Sequence, residues 1–386
     1  MTTHQRTIPA PREVSENLAP VSFGVEEEFF VVDTDDGTAF ECNHDVVAAA
    51  SRFGVDLDVE LCPAQVETKT GICDDVRRLR AELLRLRTLT AAAALQTGGR
   101  LLAAGALPTV TPAHTVTGTP RYLRMAENYG RLITDQEICG CHVHVAVPDQ
   151  ATAVLVGNHL RPWLPALLGL TANSAIHAGG DTGFASWRAV TTAHWPCGGV
   201  PPYFTSAEHY AETVALMVGS GAILDHGMVY WDIRPSAHLP TVEVRVSDVP
   251  ATIDETVLLA TLVRALVATA TRAVRAGDPG PPFSQELVRA AHFRAARAGL
   301  EDTWLDVRSG HLVPPRQVLG SLLRHLRPEL SGPGDYRRTV TLLDRVLATG
   351  NGATRQRRTW QARRQVRDVV AEGTRWTLQD TAPALP

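Results

Sequence analysis

The sequence predicts an α+β fold built on an antiparallel sheet, and three observations carry that expectation. Four short segments alternate apolar and ionisable residues with a period of two, which marks strands with unlike faces. Several strand candidates lie close enough in sequence to pair antiparallel. Helical patterns are mixed among them without a regular strand–helix–strand succession, as an α+β chain requires.

The first strand candidate spans residues 22–33 and breaks at Asp35-Asp36-Gly37. Glu26 and Glu28 share one parity, and Val25 and Phe29 take the other. The run Phe29-Phe30-Val31-Val32 is apolar on both parities, as in a strand covered on both faces. Residues 38–42 form a second extended piece, and residues 56–67 read as strand, kink at Pro63, strand. Asp74 is the expected N-cap of a helix reaching Thr97, carried by Leu79, Leu83, Leu86 and Leu95 and ended by Gly98-Gly99. A buried strand is expected over 101–107, a Thr- and Pro-rich loop over 108–120 and a helix over 121–133. Then His142 and His144 alternate with Cys141, Val143 and Val145 in a strand closed by Pro148-Asp149. Residues 151–174 are helical with interruptions at Pro162 and Pro165. Residues 177–204 hold glycines, prolines and aromatics without periodicity, the pattern of an active-site lid. A helix over 207–219 follows, then strands over 229–234 and 242–247 joined by a turn through Pro235 and Pro240. Thr252 and Glu255 form a capping box that opens a helix running to Ala276 and stopping at Gly277. After a linker over 278–282 the chain reads as helical, with breaks near Pro314 and Gly332 to Gly334. The polar stretch 1–20, with Pro9, Pro11 and Pro20, is expected to be a disordered tail, leaving 21–375 as one domain.

Composition excludes several classes. With 44% hydrophobic and 20% charged residues the chain is of ordinary globular type. A net charge of -4 gives no bulk attraction to nucleic acid or membrane surfaces. No apolar run looks long enough to span a bilayer, and the N-terminus lacks the apolar core of a secretory signal, so a cytoplasmic location is expected. The six cysteines are then expected as free thiols. Lys69 is the sole lysine. The near-exclusive use of arginine elsewhere reads as a codon bias.

The chemistry lies in the alternating segments. Read as strands of one sheet, they put carboxylates, imidazoles and guanidinium groups on a single face, which suits divalent metals and phosphates. Glu26 and Glu28 on a covered strand need partners, and hard oxygen ligands suit Mg²⁺ or Mn²⁺. The bland alternative is a solvated acidic edge strand. Glu27, on the opposite parity, is expected to do something else. His142 and His144 at i and i+2 point to metal ligation or phosphate contact. A zinc site with a cysteine is disfavoured because the cysteines fall on the other face. Glu243 and Arg245 share a face as carboxylate for metal and guanidinium for phosphate, or else as a cross-strand ion pair. Asp232 and Arg234 extend that face, and Glu60 and Glu67 flank Pro63 as further possible ligands. Asp181, Arg188 and the glycines around them read as a mobile binding loop. No glycine-rich nucleotide loop of known spacing is present.

These residues resemble the type 2 glutamate–cysteine ligase-like carboxylate–amine ligases. The motifs are Phe-Gly-Val-Glu-Glu-Glu-Phe at 23–29, Pro-Ala-Gln-Val-Glu-Thr at 63–68, Cys-Gly-Cys-His-Val-His-Val at 139–145 and Asp-Thr-Gly-Phe-Ala-Ser-Trp-Arg at 181–188. Asp-Ile-Arg-Pro-Ser from 232, Thr-Val-Glu-Val-Arg-Val-Ser-Asp from 241 and Asn-Gly-Ala-Thr-Arg-Gln-Arg from 351 also fit, in the family's order. His-Val-His and Glu-Val-Arg-Val-Ser-Asp look as well like stretches of glutamine synthetase. The resemblance implies a glutamine synthetase-like antiparallel sheet forming a metal-lined cleft, with helices packed on the other side. It implies ATP-dependent amide bond formation between amino acids such as glutamate and cysteine, through an acyl phosphate. It implies Glu26, Glu28, Glu67 and Glu243 as Mg²⁺ ligands, His142 or His144 for metal or phosphate, and Arg245 for the transferred phosphoryl group. Arg188 and Arg234 are implied substrate or phosphate contacts. Cys141 and Lys69 depart from the family pattern and are expected to lie clear of the ligand set. A homodimer is plausible from a free sheet edge. The competing readings are a metal-dependent hydrolase on the same face and a silent nucleotide-binding relative.

Overall fold

The computed structural model describes residues 21–379 except 112–114, 135, 331 and 333. The expected N-terminal tail lies outside the described residues. In chain order the first half contains β1 (Phe23–Asp33), α1 (Asn43–Ser51), β2 (Leu57–Val59), β3 (Gln65–Lys69), α2 (Val76–Gln96), β4 (Gly99–Leu102), α3 (Pro120–Tyr129), α4 (Arg131–Thr134), β5 (Gly140–Ala146), α5 (Gln150–Leu160), α6 (Leu164–Thr171), β6 (Ile176–His177), β7 (Gly180–Asp181) and α7 (Trp187–Thr192). Then come α8 (Ala207–Gly219), β8 (Ile233–Pro235), β9 (Thr241–Asp248), α9 (Ile253–Arg275), α10 (Gln285–Ala298), β10 (Trp304–Asp306), β11 (His311–Val313), α11 (Pro315–Leu326), α12 (Asp335–Thr349), α13 (Gly352–Arg363) and α14 (Val366–Thr377).

The expected α+β class with an antiparallel sheet is what the chain adopts. The main sheet runs β2-β3-β1-β5-β9-β8, with β4 pairing the far end of β1. Every neighbouring pair is antiparallel. The register sets Glu28 opposite Glu67, Glu26 opposite His142, His144 opposite Glu243 and Arg234 opposite Glu243. A period of two then gives the sheet one charged face and one apolar face.

The apolar face is covered by helices. Val25, Val143, Val145, Val242 and Val244 pack with Val257, Leu258, Leu262 and Leu266 of α9, Leu79 and Leu83 of α2, and Val156 of α5. Each such side chain contributes roughly 1.5–3 kcal/mol on burial. α9 opens with the expected Thr252–Glu255 capping box. By length and composition it could cross a membrane, which corrects the expectation that no apolar run is long enough. Here it is the central core helix, buried along the residues that meet the sheet.

Glu27 points into this core. Its Oε1 accepts from Arg87 NH2 at 2.6 Å and from Thr256 Oγ1 at 2.6 Å, and its Oε2 from Arg87 Nε at 3.0 Å. Arg87 also donates to the carbonyls of Pro250, Ala251 and Thr377. Both side chains are fully buried.

Some local expectations shift. Helix α1 is absent from the sequence reading; no side-chain cap marks its start. The cap of α2 is Asp75, which accepts from the backbone of Arg77 and Arg78, rather than Asp74. The helix expected over 121–133 breaks at Gly130, where φ is 51°. The strand expected at 101–107 begins at Gly99 and ends at Leu102. The C-terminal part, expected to be helical with breaks near Pro314 and Gly332 to Gly334, also contains the β10–β11 hairpin just before Pro314. The stretch 177–204 holds the β6–β7 hairpin end and α7, and Ala185, Arg188, Trp195 and Val200 in it are buried, so much of it is wall rather than a loose cover. All six cysteines are unpaired and buried, as expected.

Candidate functional site

The charged face of the sheet floors a cavity of about 600 Å³. Its walls are Tyr122 and Met125 of α3, Gln136 and Ile138 before β5, Arg188 and Thr192 of α7, Trp195, Tyr230, and the turn 236–239. Glu26, Glu28, Glu67, His142, His144, Arg188, Arg234, Glu243 and Arg245, separate in sequence, all line it. Glu60 joins them. Asp232 does not. It precedes β8, and its Oδ2 lies 3.0 Å from His292 Nε2 on α10. Asp181 also stands apart, in the β6–β7 hairpin, facing Arg357 at 3.4 Å.

Two groups of carboxylate and imidazole atoms converge. Glu26, Glu67 and His142 each bring one ligand atom, all within 4.8 Å of one another, and so do Glu28, Glu60 and Glu67. Glu67 is common to both. Backbone pairing holds them: β1 presents Glu26 and Glu28, β3 presents Glu67, and β5 presents His142. His142 Nδ1 is 3.2 Å from Glu26 Oε2, and His144 Nε2 is 3.5 Å from the same oxygen. Glu28 Oε2 accepts from the Gly140 amide at 2.5 Å. Nε2 of His142 and Nε2 of His144 are buried without a hydrogen-bond partner. The nearest acid to the former, Glu28 Oε1, is 3.6 Å away.

The electrostatics follow from this crowding. Burial, then the charges of Glu28 and Asp58, push the Glu60 carboxyl up to about 8. Burial and the neighbouring Glu60, Glu26 and Glu28 hold Glu67 well above the carboxylate range. Burial works against ionisation of Glu26 too, but the His142 hydrogen bond and the His144 ring beside it outweigh burial and keep that carboxyl low. Burial and then Arg245 depress His142, which favours the neutral imidazole a metal needs. An excess of buried negative charge in oxygen ligands, with one imidazole, fits Mg²⁺ or Mn²⁺. It does not fit a thiolate zinc site: Cys141 packs in the apolar core, and Cys139 Sγ accepts from Gln65.

Beside the acids stands a cationic cluster. Glu243 Oε2 accepts from Arg234 Nε at 2.8 Å and its Oε1 from Arg245 NH1 at 2.6 Å. Burial opposes its ionisation, yet the two guanidinium groups hold it well below the usual carboxylate range. Expected as a metal ligand, Glu243 already gives both oxygens to arginines. The Arg245 guanidinium lies over the Tyr230 ring at 5.5 Å. Arg188, expected to touch substrate, also carries the strand beneath. Its NH2 donates to the Arg245 carbonyl at 3.1 Å, and a Cβ at position 140 would run into its guanidinium.

Lys69 corrects one expectation. It does not lie clear of the ligands: its Nζ is 3.2 Å from Glu67 Oε1 and also contacts Asp58 Oδ2. Missed in the sequence are Tyr122, whose hydroxyl donates to Glu60 Oε2 at 3.4 Å, and Gln136, Thr192, Trp195 and Tyr230. They come from helices and loops with no local pattern that singles them out.

Comparison with known proteins supplies relatives in sequence and in fold. The profile of the Glutamate-cysteine ligase family 2 (GCS2) matches residues 22–372. A protein of Mycolicibacterium vanbaalenii named "Putative glutamate–cysteine ligase 2-2" is 50% identical over 359 residues, covering 93% of this chain and 98% of its own. A protein of Nocardia farcinica named "Putative glutamate–cysteine ligase 2-1" is 48% identical over 360 residues, covering 93% and 94%. Among solved structures, the glutamate–cysteine ligase of Francisella tularensis in complex with AMP superposes with a TM-score of 0.68 at 12% identity, covering 95% of this chain and 91% of that one. A bifunctional glutathione synthetase from Pasteurella multocida gives 0.68 at 16%, covering 93% and 53%. At those identities the likeness is one of fold.

Proposed function

This chain belongs to glutamate–cysteine ligase family 2, a family of carbon–nitrogen ligases, and from that premise we propose that it joins an amino-acid carboxylate to an amine at the expense of ATP. The observation that carries the reading is the pair of carboxylate groups sharing Glu67, set in one cleft against Arg245 and Arg234. Glutamate is the proposed acid and cysteine the proposed amine, consistent with the names of the relatives.

In the proposed reaction an oxygen of the substrate carboxylate attacks the γ-phosphorus of ATP. The bond from phosphorus to the β,γ-bridging oxygen breaks, and ADP leaves. The amine nitrogen then attacks the acyl carbon of the acyl phosphate, inorganic phosphate departs, and the nitrogen loses its proton. Glu26, Glu28, Glu60, Glu67 and His142 would hold Mg²⁺, which supplies charge neutralisation on the phosphoryl oxygens. Arg245, aimed by Glu243 and Tyr230, meets the charge that gathers on the transferred group. Arg234 shares Glu243 and lines the same wall. The aromatic wall of Tyr122, Trp195 and Tyr230 limits water around the acyl phosphate. We place the reaction in the cytoplasm, where ATP is available.

The test is hydroxylamine trapping. With glutamate, ATP and Mg²⁺, the protein should form a γ-hydroxamate and ADP in equal amounts. Product formation without ATP would favour a hydrolase. ATP binding with no hydroxamate from any amino acid would favour a silent relative.

A further inference from the structure

We infer that Gln136 and Thr192, beside Arg188, form a subsite for the free carboxylate of an amino-acid substrate. The inference rests on the ligase reading above for the identity of that substrate. Buried polar atoms are almost always paired. Along one wall of the cleft three are not: Gln136 Nε2, Arg188 Nε and Thr192 Oγ1.

Their chemistry points one way. The indole N–H of Trp195 donates to Gln136 Oε1 at 2.9 Å. An indole nitrogen can only donate, so the amide is oriented and its Nε2 is left as a donor. Arg188 gives NH2 and NH1 to the carbonyls of Arg245 and Val246, at 3.1 and 3.5 Å, and keeps Nε–H unspent. Thr192 follows Arg188 by four residues on α7, so the two share a helix face. Two obligate donors and a hydroxyl, with no carboxylate paired to them among the described residues, describe an anion site. The acidic groups and Arg245 account for the triphosphate, and Ile138, Met125 and Trp195 make the surrounding wall apolar. A carboxylate on a short carbon skeleton fits that setting. Such a group stays free on the amino acid whose side-chain carboxyl is activated, and equally on an amino acid that serves as the amine.

Paired ligands separate these two sources. Glutamate is compared with 4-aminobutyrate, which lacks only the α-carboxylate, and cysteine with cysteamine, which lacks the same group. Binding is read by calorimetry and KM by ADP release, in the wild type, Gln136→Glu, Thr192→Val and Thr192→Ser. Gln136→Glu keeps the acceptor for Trp195 while replacing the donor with an anion. Thr192→Val keeps the shape without the hydroxyl. The wild type should prefer the carboxylate-bearing partner by about 10–100-fold in one arm, as hydrogen bonds to a charged group allow. That preference should fall about tenfold or more in Gln136→Glu and Thr192→Val, and persist in Thr192→Ser. The arm that changes identifies the source. Ratios unchanged in both arms, or a wild type with no preference in either, overturn the subsite. Preference in binding without ATP turnover overturns the ligase reading and supports the subsite.

Discussion

Three consecutive glutamates in β1 should behave as two different kinds of residue when each is changed to glutamine. Glu27 is fully buried in a bidentate pair with Arg87, and Arg87 also serves three backbone carbonyls. The Glu27→Gln substitution would keep the side-chain volume but leave the guanidinium without a counter-ion. Breaking a buried pair from one side costs about 3–5 kcal/mol. With an unfolding entropy of about 2.1 cal/mol/K per residue, that corresponds to a melting temperature lower by about 4–6 °C. Glu28 stands on the other face among Glu60 and Glu67, where it adds to their repulsion. Glu28→Gln should melt at or slightly above the wild-type temperature without added metal, yet lose on the order of 10²–10³-fold in ATP turnover. Thermal melts without divalent cation, paired with hydroxamate assays at saturating Mg²⁺, measure both. A Glu27→Gln variant losing under about 1 kcal/mol would refute the argument, since the pair would then be solvated. So would Mg²⁺-dependent ADP release at the wild-type rate from Glu28→Gln.

Divalent-cation binding should release protons near neutral pH. Glu60, lifted to about 8, is protonated there in the metal-free protein, and burial beside Glu60, Glu26 and Glu28 shifts Glu67 in the same direction. The stability that the raised Glu60 contributes to the metal-free protein is full below the ordinary carboxylate value and falls as pH rises through about 8, while Mg²⁺ affinity rises over the same span. Calorimetry in buffers of different ionisation enthalpy reads the released proton, and identical heats would exclude it. Arg245→Lys keeps the charge but loses the fork held by Glu243, so kcat should drop about a hundredfold with a smaller change in KM for ATP. Gly140→Ala inserts a methyl group where the Arg188 guanidinium lies. Turnover should fall together with about 1–3 kcal/mol of stability, and wild-type values for both would show that the contact yields freely.

The charged floor of the site is legible because a strand exposes its two faces as two parities. Glu26, Glu28, His142, Glu243 and Arg245 need no long-range information beyond the assumption of a shared sheet, and the registers supply it. Asp232 shows where parity misleads: it lies just outside the paired residues of β8, and its side chain turns to His292. Gly99 reads as a helix stop, but its backbone also runs close to Val31 and Phe40, where a side chain would not fit. The walls are not legible. Tyr122, Gln136 and Trp195 reach the cleft only through tertiary packing, and nothing in the residues beside them records that meeting. Helix α1 and the β10–β11 hairpin escape the sequence reading because they are short, and α1 has no capping side chain.

Lys69 has a practical consequence. Its Nζ is the only side-chain amine in the sequence, and it sits at the cleft against Glu67 with its side chain half exposed. Apart from the α-amino group of the chain, amine-directed labelling is therefore an optical and mass reporter of a single side chain. Anything that displaces Lys69 from Glu67 will alter how fast that one position is tagged, so occupancy of the cleft can be followed in the unmodified polypeptide without an engineered probe.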